Sequence, residues 1–166
     1  MKPTHKPTTN KLSLFESLRE IQNNNDSLNL LIQEKEEYLT SLQYLYQDIR
    51  AWLQPGLAEG MISFRTDSKQ LLEELLGGPY IAPILRIDFP AAKRTIDVEP
   101  IGAFMVGSRG RVDLRCGARE YILLRLKRDS PKLWFIKEHR KGGQGPSDFS
   151  PLTEQSFHDI VAKLIF

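Results

Sequence analysis

From Lys11 to Gln54 the chain carries neither proline nor glycine, and apolar side chains recur there with alternating steps of four and three. The seam runs Leu14, Leu18, Ile21, Asn25, Leu28, Ile32, Lys35, Leu39, Leu42, Tyr46, Ile49, Leu53. Such spacing keeps a narrow apolar stripe on one side of an α-helix, as a partner helix requires. With Leu18, Asn25 and Ile32 at a positions and Leu14, Ile21 and Leu28 at d positions, Asn25 is the polar a residue that can set register at some cost in stability. A second row, Leu31, Tyr38, Leu45 and Trp52, lies beside the seam and widens the apolar face from about residue 28 onward. Broad faces belong to helices packed on a core. Two readings follow. In one, the run Asn23-Asn24-Asn25-Asp26 breaks the segment into two core-covering helices. In the other, a single helix dimerises through its N-terminal half and packs on its own domain through the rest. The Pro55-Gly56 pair ends the helical region in both.

Beyond Gly60 the period changes from 3.6 to 2. Met61–Arg65 reads as a strand, and Thr66-Asp67-Ser68 followed by Lys69–Leu76 reads as a short capped helix stopped by Gly77-Gly78, with strand and loop as its rival. Strand-like runs follow at Tyr80–Phe89, Arg94–Glu99, Ile101–Val106, Arg111–Arg115, Glu120–Arg128 and Leu133–His139, divided by short turns rich in Gly, Pro, Asp and Ser. Connections this short leave no room for crossover helices, so the sheet should be antiparallel. Gly142–Pro151 reads as a loop, and Leu152-Thr153-Glu154 opens a last amphipathic helix. The expected class is α+β. A flexible tail (1–10) and a helical or coiled-coil region (11–56) precede a five- or six-stranded antiparallel sheet with a closing helix (57–166).

Composition narrows this picture. At 166 residues, 40% apolar and 27% charged, the chain suits one folded domain and is not disordered in composition. It has no apolar run of bilayer length and no secretory signal pattern, which points to a cytoplasmic protein without membrane contact. The single cysteine, Cys116, excludes an internal disulfide and a cysteine-only metal cluster. The formal net charge of +2 conceals a strong asymmetry: residues 103–145 hold 11 Lys and Arg against 4 Asp and Glu. Strand alternation would bring Arg111, Arg115, Arg125, Lys127 and Lys137 to one face, with Arg109 and Arg140 near it and Tyr121 and Phe135 interleaved. A cationic face with aromatics suits an anionic partner, nucleic acid included.

Catalytic chemistry is sparse. His5, His139 and His158 lie far apart and without ligand-like neighbours, and Cys116 has no histidine or asparagine beside it in sequence. Gly107-Ser108-Arg109-Gly110 has the make-up of an anion-binding turn but also of an ordinary hairpin turn, and no Walker lysine follows it. Asp113 with Arg125-Leu126-Lys127 is similar to the Asp and Glu-x-Lys arrangement of metal-dependent nucleases, yet an arginine stands where the second carboxylate must bind the metal. No cofactor fingerprint is present. The expectation is a small non-catalytic interaction protein or accessory subunit. It would associate through Leu14, Leu18, Ile21, Asn25, Leu28, Ile32 and Leu39 and show a basic sheet face to a protein partner. Nucleic-acid binding is the alternative, and a degenerate nuclease the third reading.

Overall fold

The computed structural model describes residues 11–76, 78–104, 107–127, 130–137 and 149–166. The 1–10 tail, His5, His139 and Arg140 therefore lie outside the described residues. Helix α1 runs unbroken over Lys11–Trp52 and a short α2 over Gln54–Ala58. The strands are β1 (Ser63–Glu73), β2 (Gly78–Phe89), β3 (Arg94–Gly102), β4 (Arg111–Cys116), β5 (Arg119–Leu124), β6 (Phe135–Lys137) and β7 (Phe149–Pro151), and α3 (Glu154–Ile165) closes the chain. The protein is α+β. Its seven strands form one antiparallel sheet whose spatial order is the chain order, a continuous meander. Seven strands exceed the expected five or six: the terminal β7 is three residues in a stretch read as loop, while Ile101 and Gly102, read as the start of a separate strand, continue β3.

Several boundaries move for identifiable reasons. The helix expected over 66–76 is strand: β1 pairs with β2 at every residue from Ser63–Asp88 to Glu73–Gly78, followed by a single 3-10 turn at Glu74–Leu76. Cross-strand pairing has overridden the local helical spacing of Leu71, Leu72 and Leu75. Pro100 does not end its strand. It lies past the last β2–β3 pair, Leu85–Val98, and beside a register shift before Gly102, a place where a missing N–H is tolerated. The Asn23–Asp26 run does not break α1; the Ser27 hydroxyl donates to the Asn23 carbonyl at 2.8 Å there. The start of α3 carries a reciprocal cap, Thr153 accepting from the Ser156 N–H while the Ser156 hydroxyl accepts from the Thr153 N–H.

One core joins the layers. From α1 come Tyr38, Leu42, Leu45, Tyr46, Ile49 and Leu53, from α3 Phe157, Ile160, Val161 and Leu164, and from the central strands Leu85, Ile87, Ile96, Val98, Val112, Leu114 and Leu123. The rings of Trp52 and Phe157, 5.4 Å between centroids, bring the two helices together. His158 Nε2 lies 3.0 Å from the Trp52 carbonyl oxygen across the same seam. Alternation along β2 to β5 then sends Arg86, Asp97, Arg111, Asp113, Arg115 and Glu120 to the side away from this core.

Candidate functional site

Two surfaces stand out. The first is the N-terminal half of α1. Every residue from Leu14 to Leu30 is exposed, and the helix first contributes to the core at Leu31. About 26 Å of helix therefore extends beyond the packed part. Leu14, Leu18, Ile21, Leu28 and Ile32 are 40–60% exposed, with Asn25 among them in the stripe and Phe15 and Leu30 exposed alongside. A water-facing helix this short and this rich in asparagine is marginal by its own propensity. Further along, the same stripe is covered: Leu39 is half-buried, and Leu42, Tyr46, Ile49 and Leu53 are buried in the core.

Polar contacts lock the packed half of α1 over β4 and β5. Arg109 pairs with Glu34 at 2.9 Å, Arg125 pairs with Glu37 at 2.6 Å, and the Tyr38 hydroxyl donates to the Arg111 carbonyl at 2.6 Å. Tyr38 also rests against Gly110, whose φ is +153° and where a Cβ would lie 2.5 Å from the ring. The Gly107–Gly110 segment leads into β4 as a turn: the Arg109 N–H donates to the Arg125 carbonyl at 2.6 Å, and the Arg125 N–H donates to the Gly110 carbonyl at 2.9 Å.

The second surface is the sheet face away from the helices, and its charges are interleaved. Arg65 pairs with Asp88, Lys69 with Glu99, Arg86 with Asp67 and Asp97, Arg111 with Asp113 and Glu120, and Arg115 with Glu99, Asp113 and Glu120. Within this ladder five cations face six carboxylates, so it is not a positive field. Asp113 is completely buried beneath the Arg111 and Arg115 side chains. The Arg65 guanidinium, helped by the Thr95 hydroxyl, holds the Asp88 carboxyl down at a pKa of about 2. The Ser68 N–H and then Arg86 lower Asp67.

The expected basic face is thus only partly assembled. Arg111, Arg115, Lys137 and Phe135 do share a side, because Arg111 pairs with Leu124, Leu124 with Phe135, and Ile122 with Lys137. That register puts the even-numbered residues of β5 beside Arg111, so Tyr121 points instead to the core, opposite Leu114. Arg125 and Lys127 lie beyond the end of β5, Arg125 fully buried against α1 and Lys127 exposed. A charge sum over a segment cannot show this: Asp113 and Glu120 lie within the basic stretch itself, Glu99 comes from β3, and Glu34 and Glu37 come from α1.

Sequence reading also missed Glu73. Its carboxylate accepts the Tyr80 hydroxyl and the backbone N–H groups of Ala103 (3.1 Å) and Phe104 (2.8 Å), tying the β1–β2 hairpin to the chain after β3. Cys116 is buried in the core. Among the described residues no three His, Cys, Asp or Glu come together as a metal site, and no helix is long and apolar enough to cross a membrane. No family model matches the chain, and neither curated proteins nor solved structures yield a match.

Proposed function

We propose that this protein is a non-catalytic interaction module that self-associates through the N-terminal half of α1. The observation that carries the reading is the continuation of a 4-3 apolar seam along residues 14–32, outside the core that uses the same seam further on. Covering five large apolar side chains and supporting a marginal helix are favourable together, and both are achieved by one partner helix. The charged ladder is the second surface such a module offers. Because its arginines already face carboxylates, it suits a protein partner of mixed charge better than a polyanion.

Light scattering on the wild type and on the Leu18→Asp/Ile32→Asp double variant tests this. The wild type should have twice the monomer mass, and the variant should be monomeric with an unchanged unfolding transition. Two monomers of equal mass would sink the proposal. The alternative, nucleic acid on the Arg- and Lys-rich stretch, is read by anisotropy titrations of single- and double-stranded DNA and RNA. Affinity falling steeply with salt would favour it, and no binding at low salt would remove it.

A further inference from the structure

We infer that two copies of this chain pair antiparallel through residues 14–32 of α1, with their sheet domains at opposite ends of the pair. The inference rests on the self-association proposed above and adds its partner and direction. In a parallel, in-register pair, Leu42, Tyr46, Ile49 and Leu53 of both chains would meet across the two-fold axis. Each of these side chains is buried against its own chain's sheet, so two sheets would need the same space on that axis. An antiparallel pair has no such conflict. The partner's N-terminal end arrives where the sheet begins to cover α1, and these points, Leu31 in each copy, lie about 24 Å apart along the helix axis.

The seam fits itself in this direction. With the axis at residue 23, every a position meets a d position: Leu14 meets the partner's Ile32, Leu18 meets the partner's Leu28, and Ile21 meets the partner's Asn25. The flanking e and g residues of this stretch, Phe15, Ser17, Gln22, Asn24, Asn29 and Leu31, are all uncharged, so no like charges are brought together. Gln22 and Asn24 of both chains gather around the axis, giving the Asn25 amide polar neighbours from the partner. That answers the one unfavourable pairing, Asn25 against isoleucine.

Disulfide trapping tests the direction separately from the association. Leu14→Cys and Ile32→Cys are made singly in the full chain carrying Cys116→Ala; both new thiols are at exposed positions, so folding is not at stake. In the antiparallel pair, each thiol is about 27 Å from its own copy and adjacent to the other variant's. Mild oxidation of the mixed variants should therefore give a covalent dimer, and each variant alone should give none. A covalent dimer from either variant alone overturns the antiparallel direction while leaving self-association intact. A chain that light scattering finds monomeric overturns both. A dimer that traps in neither arrangement places the contact elsewhere and overturns this inference too.

Discussion

At the scale of single residues, the sharpest dependence is the pair Arg125–Glu37. Arg125 is fully buried, Glu37 meets its Nη1 at 2.6 Å, and its Nε and Nη2 have no hydrogen-bond partner. Removing the carboxylate leaves a desolvated cation, whereas removing the cation leaves a carboxylate nearer to water. Glu37→Ala should cost about 3–5 kcal/mol and Arg125→Met clearly less, measured by urea unfolding. Gly110→Ala combines a positive φ with a collision against the Tyr38 ring and should lower stability by more than about 1 kcal/mol. Three hydroxyls titrate abnormally. Burial pushes Tyr38, Tyr46 and Tyr80 above the usual phenol range, with the Glu99 charge adding to it at Tyr46 and the Glu73 bond at Tyr80. Their folded pKa values exceed the unfolded value of about 10, so their contribution is intact below that pH and is lost as pH rises past it. In an alkaline titration the tyrosinate absorbance of these three phenols, identified by their single Tyr→Phe variants, should appear together with loss of ellipticity; ionisation of these three while the fold persists would contradict this.

At the scale of elements, α1 is one helix whose two halves meet different surroundings. Its packed half is held by apolar burial and by Glu34, Glu37 and Tyr38, and its free half by none of these. Deleting residues 1–30 should leave a folded monomer whose unfolding midpoint stays within a few degrees of the full chain, seen by circular dichroism and light scattering. A truncated chain that fails to fold would show that the free half supports the core. Strand β1 is a long sheet edge, a template for unwanted pairing. Arg65, Asp67 and Lys69 alternate along it, each in an ion pair with another strand. Charges at an edge are a usual guard against edge-to-edge association.

At the scale of the whole molecule, an antiparallel sheet covered by helices on one face places its apolar core under the helices and its charges on the far face. Lowered pKa values at Asp88 and Asp67 mean that these carboxylates stabilise the folded state above the unfolded value of about 3.9. That support is lost as pH falls through the folded value, about 2 for Asp88. Acid unfolding should therefore develop between about pH 4 and pH 2, with a modest amplitude because solvent screens exposed pairs. The class, the long N-terminal helix, the antiparallel sheet and the closing helix were legible in the sequence, because periodicity and turn chemistry are local properties; β7 and the passage of β3 through Pro100 were not. The helical reading of 66–76 failed because residue-by-residue pairing with the neighbouring strand β2 outweighs the helical spacing within the segment. The basic face assembled only in part because partners of its cations come from other elements: Arg115 meets Glu99 of β3, and Arg125 meets Glu37 of α1, 88 positions away. The sequence determined that a seam exists along α1. Only the tertiary structure decided where the sheet stops covering it, because burial is a property of what packs against a side chain and not of the side chain itself.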